Sequence, residues 1–370
     1  MDVGRLRASW ARIAAHGDQV ALYFYSDLFL KHPEVRDMFP VSMAVQRAHL
    51  TDALVRVVAA ADDAEALTGH LAHLGRAHRK YGVQHDGGHY KAVGESLLAT
   101  FEHFSAEDWT PEVTADWAEA YGLITQVMTA AAAEDEKTAP AWWTGTITSA
   151  ERRVYDITVL HVRPEPALEW VPGQSVPVEI PARPRLWRWY SPANSPGDSG
   201  TLELHVRLTG PVSAALTNAA PGTRLCLGPA AGELCWRDTG RDVLLVAGST
   251  GLAPLKAICG HLAAQPAPPQ ACLVFAARTA DGLYDLPALQ ALAVRCSWLT
   301  VVPVVTGDPR GWDGETGPVA GVLARRGDWA AADAYVAGPS DMTAEVTQAL
   351  TSAGTPASQI HAEDFGWREP

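Results

Sequence analysis

Apolar positions along the chain follow three different periods. Through residue 138 they recur at helical spacing, in Gln19–Leu30, Gln46–Ala60, Glu65–Tyr81, Tyr90–Phe104 and Pro111–Ala133. These runs predict an all-helical segment. After Pro140 the period shortens to two. Arg153–Val159 alternates as one run, and in Thr201–Leu208 the side chains of Leu202, Leu204, Val206 and Leu208 share a face. Gly and Pro turns punctuate these runs, which predicts a small antiparallel barrel. A third pattern begins at Asp242. Val243–Ala247 is a short apolar strand followed by a glycine-rich turn and a helix. Ala271–Ala276, Leu299–Val305 and Ala334–Val336 repeat the strand character between helical stretches. That is the pattern of a parallel α/β unit.

Proline and histidine sharpen the division. Only Pro33, Pro40 and Pro111 precede residue 139, whereas nine of the 13 histidines lie at or before His103. A proline-poor segment can carry long helices, because proline breaks the helical ladder. The run from Glu134 to Pro140 is a charged helix end followed by a stop signal. Three domains are therefore expected, at 1–138, 139–238 and 239–370. A length of 370 residues agrees with this at about 150 residues per domain.

Composition narrows the function. A net charge of −13 disfavours nucleic acids and membrane surfaces, which need clustered Lys and Arg. The 47% apolar content argues against disorder. No stretch of about 20 apolar residues is present, so no membrane span is expected. The first ten residues have no signal-peptide pattern. The five cysteines are an odd number without a C-x-x-C. They favour reduced thiols and a cytoplasmic location, and any haem would be held non-covalently.

Leu71, Leu74, His78 and Tyr81 fall on one helical face. A histidine so placed is either a core residue satisfied by a backbone carbonyl or an axial iron ligand, since neutral imidazole suits haem iron. His73 lies about 140° round the helix from it. His70, offset by about 80°, is the fallback ligand.

With its neighbours, this segment resembles the globin part of the flavohaemoglobin family. The run from Phe24 to Phe29, then Lys31-His32-Pro33-Glu34 and Met38-Phe39, is similar to that family's second helix and the corner after it. The resemblance implies haem b with His78 as its proximal ligand. It implies Tyr25 as hydrogen-bond donor to bound oxygen and Phe39 packed on the haem face. Gln46 and Leu50 match the distal polar and apolar residues. Tyr90 matches a proximal tyrosine, which completes the catalytic set with Tyr25 and Gln46. Read singly, Tyr25 and Phe39 are equally core aromatics and Gln46 a solvated residue. One position departs: the carboxylate that usually polarises the proximal histidine falls on Ala132, with Glu134 two residues on. A histidine lacking that partner is expected to bond a backbone carbonyl and to push less electron density to iron.

Arg188-Trp189-Tyr190-Ser191 resembles the R-x-Y-S signature of the ferredoxin–NADP reductase family. That resemblance implies FAD on a six-stranded barrel, with Arg188 for the pyrophosphate, Tyr190 against the isoalloxazine and Ser191 near flavin N5. Pro172-Gly173-Gln174 lies upstream. Gly210-Pro211-Val212-Ser213 opens a helix downstream, as the family's second pyrophosphate segment does, giving Gly210 and Ser213 a cofactor role. Gly248-Ser249-Thr250-Gly251-Leu252-Ala253-Pro254 follows a strand directly and resembles the nicotinamide-nucleotide loop, which implicates Gly248, Thr250, Gly251 and Pro254. The segment from Tyr335 to Met342 is similar to the family's C-G-P region, with Ala337 in place of cysteine. Phe365 either covers the flavin ring or ends a C-terminal strand. Arg278 favours a 2′-phosphate and Asp281 and Asp285 oppose it, so NADH or NADPH both stay open, with a lean to NADH.

The resemblance covers almost the whole chain. It implies that NAD(P)H reduces FAD, that FAD passes single electrons to haem, and that the reaction is nitric oxide dioxygenation of NO with O2. Two alternatives stand beside it: a haem-flavin oxidoreductase with another donor or acceptor, and a redox-linked gas sensor. The expected partners are small molecules, in a monomer or weak dimer.

Overall fold

In the computed structural model, residues 1–83, 88–197 and 200–364 are described. The chain divides into two units, residues 1–142 and the rest from 143. Gly87, His85 and Phe365 lie outside the described residues.

The first unit is helical throughout: α1 (Val3–Ala14), α2 (Asp18–Lys31), α3 (Ala44–Ala59), α4 (Ala64–His78), α5 (Gly88–Ser105) and α6 (Pro111–Glu136). Sequence periodicity did not single out α1. Its apolar face is sparse, with Leu6, Trp10 and Ile13 buried, and its start is marked by Asp2, whose side chain accepts from the Arg5 N–H at 2.9 Å. The long helix α6 begins at a proline in its first position, behind a Thr110 cap. The core gathers Trp10, Phe101 and Trp117, whose rings meet edge-on or tilted at 4.5–6.4 Å.

The second unit opens with β1 (Trp143–Val154), β2 (Ile157–Glu165), β3 (Val176–Glu179), β4 (Arg188–Tyr190), β5 (Leu202–Arg207), α7 (Pro211–Thr217) and β6 (Arg224–Leu227). These strands form a six-stranded antiparallel sheet in the order β4-β3-β6-β1-β2-β5. A bridge between Pro192 and Leu204 joins its two edges and closes the barrel. Arg153–Val159 is not one strand. Tyr155 and Asp156 form a turn, and Val154 pairs with Ile157 across it. Alternation continues through so short a hairpin and hides it. In β5 the side chains of Leu202, Leu204 and Val206 are fully buried as expected, but Leu208 lies beyond the strand and is exposed.

The parallel sheet follows: β7 (Val243–Gly248), α8 (Leu252–Ala263), β8 (Ala271–Ala277), α9 (Leu286–Arg295), β9 (Leu299–Val305), β10 (Glu315–Thr316), α10 (Val319–Arg326), β11 (Asp333–Gly338), α11 (Ser340–Ser352) and β12 (Ile360–Asp364). Its order is β10-β9-β8-β7-β11-β12. Both faces are covered. Leu245 and Phe275 face one layer and Leu244 and Val274 the other, so these strands read as continuous apolar runs. The barrel and this sheet share one unit because the core of β7 and β8 runs on to Ile157 and Leu234. The boundaries expected at residues 139 and 239 lie just ahead of β1 and β7.

Candidate active site

Four candidates of the helical unit come together. Tyr25 is 6% exposed in α2, and its hydroxyl donates to the Gln46 backbone carbonyl, in the first turn of α3, at 3.3 Å. The Phe39 ring meets Tyr25 edge-on at 5.6 Å, and Leu50 packs against the same cluster. Pro33 starts a 3-10 turn, Pro33–Met38, that ends α2 and swings Phe39 back over it. Burial pushes the Tyr25 phenol up to about 12, against a smaller opposing contribution from Gln46. It therefore keeps its proton at neutral pH. A 3.3 Å bond to a carbonyl is long, so the O–H can turn to a better acceptor at little cost.

His78 is the last residue of α4. Its Nδ1 lies 2.7 Å from the Leu74 carbonyl. A carbonyl only accepts, so Nδ1 carries the proton and Nε2 keeps a lone pair. Burial lowers the basicity of the ring, with the Leu74 bond opposing and the Lys80 charge adding to the fall. A neutral imidazole with one open nitrogen fits an axial haem position. It equally satisfies a core role. His70 lies two turns earlier, where burial, Arg56 and His73 lower its basicity.

Tyr90 is buried in α5, clustered with Leu71 and Met128, and its carbonyl accepts from the Tyr121 hydroxyl at 2.6 Å. Gly75 sits so close to α6 that a Cβ there would stand 2.2 Å from the Met128 carbonyl oxygen. One turn on, Arg79 pairs with Asp135 and donates to the Ala139 carbonyl at 2.8 Å. These contacts run α4 and α6 alongside each other in one direction, with buried Ala132 at the level of the turn that ends in His78. Glu134 is exposed and paired with Lys137, so it does not take the carboxylate's place. Arg79 and Lys80, each 8% exposed, were not expected in the interior. Burial lowers Lys80 to about 8. A basic pair after a helix reads as solvated, and the partner Asp135 is 56 positions away.

In the barrel, β4 pairs with β3, so Arg188 and Tyr190 share a face and Trp189 points away, 41% exposed. The buried Ser191 hydroxyl lies 2.8 Å from that of Ser175. Burial raises the Tyr190 phenol despite the Arg188 charge. Gly173 has φ +99°, and a Cβ there would stand 1.7 Å from the Leu234 carbonyl, so only glycine makes this turn. Ser213 Oγ accepts from the N–H groups of Thr209 and Gly210 at 2.9 and 3.0 Å. That hydroxyl is engaged in capping α7.

Gly248 ends β7, and a 3-10 turn over Ser249–Gly251 leads into α8. A Cβ on Gly248 would meet Met342 Sδ at 2.7 Å, and one on Gly251 the Ala337 carbonyl oxygen at 2.2 Å. Both glycines thus admit the Ala337–Met342 segment, and the two nucleotide candidates converge where β7 and β11 lie side by side. The strand order reverses there, which is where open α/β sheets bind ligands. Thr250 is half-buried and Pro254 buried in the first turn of α8. Arg278 and Asp281 are exposed at the end of β8. Asp285 is not: its side chain is 1% exposed and held by Lys256 at 2.6 Å. It does not face a cofactor, which corrects the expectation that it repels a 2′-phosphate.

Residues 22–128 match the globin family, 145–236 the oxidoreductase FAD-binding domain and 245–348 the oxidoreductase NAD-binding domain. The flavohaemoprotein of Bordetella pertussis is 28% identical over 392 residues, covering 98% of this chain and 96% of its own. Over almost its whole length the chain is thus similar to flavohaemoproteins. Among solved structures, the flavohaemoglobin of Malassezia yamatoensis, crystallised with FAD and haem, covers 98% of both chains with a TM-score of 0.76 at 18% identity. The FAD/NAD-binding domain of a nitric oxide dioxygenase from Vibrio cholerae covers 60% of this chain and 98% of its own, with a TM-score of 0.55 at 22% identity. The chain is thus a globin joined to an FAD- and NAD-binding oxidoreductase module, which carries electrons from NAD(P)H towards haem. Among the described residues, no helix is long and apolar enough to cross a membrane.

Proposed function

We propose that this chain is a nitric oxide dioxygenase that uses NADH or NADPH. When bound, the nicotinamide supplies a hydride, the flavin divides it into single electrons, and the haem iron supplies a gas-binding centre. His78 would hold the iron through Nε2, because its Nδ1–H is donated to the Leu74 carbonyl. Tyr25 keeps its proton at Oη and would donate a hydrogen bond to a gas molecule held in that pocket, with Gln46 beside it. Phe39 and Leu50 keep water from that side, and Tyr90 packs below the proximal turn. Arg188, Tyr190 and Ser191 bind and orient FAD, with the backbone at Gly210 and the Ser213-capped turn for its pyrophosphate. Gly248, Thr250, Gly251 and Pro254 bind the nicotinamide nucleotide. Phe365 is carried as the flavin cover from the family pattern.

The observation that carries the reading is the His78–Leu74 bond, which leaves one imidazole nitrogen open in a unit whose Tyr25 holds a protonated donor. The test is NO consumption by the purified full chain with NADH and O2. Consumption should need both, and Tyr25→Phe should slow it about tenfold or more. An unchanged rate in that variant sinks the role of Tyr25. Buried Ala132 in place of a carboxylate favours a second reading, an oxidoreductase with another acceptor. NADH oxidation that proceeds without NO consumption selects it.

A further inference from the structure

The strand β5 shows apolar side chains to the barrel and polar ones to the opposite face, and that second face is covered by the nucleotide-binding layers. His205 is fully enclosed there. Its Nε2 lies 2.7 Å from Glu203 Oε1 and its Nδ1 2.7 Å from the Tyr284 hydroxyl. Lys256, in α8, donates to the same Glu203 oxygen at 2.7 Å and to Asp285 Oδ2 at 2.6 Å. A carboxylate only accepts, so His205 Nε2 carries a proton, and in the neutral ring Tyr284 donates to Nδ1. Five side chains from three segments thus form one connected chain.

Glu203, His205 and Asp285 present ligand atoms within 4.8 Å of one another, as a metal site would. Lys256 Nζ already bridges the two carboxylates, so the cation of this cluster is the chain's own ammonium.

Its position gives it a purpose. On one side, the Ala193 N–H donates to the Glu203 carbonyl at 2.7 Å and Pro192 bridges Leu204. Those two residues follow Ser191, the last residue of the flavin motif. On the other side, Lys256 lies two residues beyond Pro254, the last residue of the nucleotide loop. Arg207, also on β5, donates to Ser249 of that loop at 3.1 Å. The apolar contacts around Ile157 and Leu234 hold the two layers together but set no register, because burial is non-directional. The hydrogen bonds of this cluster, in contrast, are directional.

We propose that Glu203, His205, Tyr284, Asp285 and Lys256 form a positioning latch that registers the nucleotide loop against the flavin motif without touching either cofactor. This rests on the reading above that the module passes a hydride from NAD(P)H to FAD. The latch fixes how closely donor and acceptor meet, so its loss slows the transfer more than it weakens binding.

The test uses the full-chain holoprotein. Anaerobic stopped-flow follows flavin reduction by NADH, and hydrogen–deuterium exchange follows β5 and α8. In Lys256→Met the saturating rate should fall about tenfold or more, with half-saturation changed less than about twofold. Exchange should rise in both elements, FAD content should hold, and Lys256→Arg should restore most of the rate. Lys256→Met leaves two buried carboxylates unneutralised and can fail to fold. The combined Glu203→Gln, Lys256→Met, Asp285→Asn variant removes the charges together and is expected to show the same loss of rate. Wild-type rate and exchange in the combined variant overturn the latch, as does a loss confined to half-saturation. If the wild-type chain itself takes no hydride from NADH or NADPH, the donor reading fails, and the exchange measurement still decides the latch.

Discussion

His78 in the helical unit and His205 in the reductase unit are both imidazoles withdrawn from water, and they differ in which nitrogens are left over. His78 uses Nδ1 on a carbonyl and keeps Nε2. His205 uses both, one on Glu203 and one on Tyr284. The electrostatic surroundings differ in the same sense. The charge that acts on His78 is cationic, from Lys80, and the neighbouring Arg79 is paired with Asp135. Around His205 two carboxylates and an ammonium are interlocked. There the Lys256 ammonium is held above its ordinary value, burial being outweighed by Glu203 and Asp285. Burial likewise opposes ionisation of Glu203, but the His205 hydrogen bond and the Lys256 charge overcome it and hold that carboxyl well below its usual range. A histidine with a spare nitrogen can take a metal; one with none holds structure. The count of partners separates the two roles, where burial alone does not.

The largest effect that tests this contrast is on haem content. His78→Ala should abolish the Soret band of the purified protein, while His205→Asn should leave it intact. Retention of the band in the first variant would transfer the ligand role to His70. A smaller effect is expected from restoring a carboxylate beside the open imidazole. Ala132→Glu should lower the haem reduction potential by on the order of 60 mV, a tenfold shift in a one-electron equilibrium. Spectroelectrochemical titration measures it, and an unchanged potential would show that the turn at Ala132 does not reach His78. The smallest effect is on acid stability. Burial, the leading influence, lowers the His205 pKa, with Glu203 opposing. The unfolded chain gains a proton there as pH falls through about 6.5 and the folded chain does not, so stability is lost below that pH. His205→Asn should flatten the melting temperature against pH in that window. A slope equal to the wild type would show that His205 takes up its proton in the folded state.

Local signals were legible in the sequence. Helical spacing located five of the six long helices of the first unit, and the strand–turn–helix at Val243–Pro254 stands where its pattern put it. Motifs survive in sequence because one strand or turn fixes all their residues at once. What was hidden is long-range. Glu203 and His205 alternate with buried leucines and so read as a solvated face, yet His205 is enclosed because a layer some 50 to 80 positions later covers it. Asp285 read as a surface charge near a cofactor, and only its pairing with Lys256 shows otherwise. The turn at Tyr155-Asp156 was missed for a different reason, since a tight hairpin preserves the alternation on either side of it.

The approach of α4 to α6 at Gly75 has a bearing on which residues can change. At that crossing the spacing of the two helices is measured in main-chain atoms, with no side chain between Gly75 and the Met128 carbonyl. Substitutions elsewhere along the seam can be absorbed by repacking, because side chains have rotamers to exchange. At Gly75 there is no such slack. The smallest substitution, Gly75→Ala, acts as a wedge one turn from His78, and the helix pair must part before the methyl group fits. The tolerance of the proximal side to mutation therefore follows from a residue that carries no chemistry of its own.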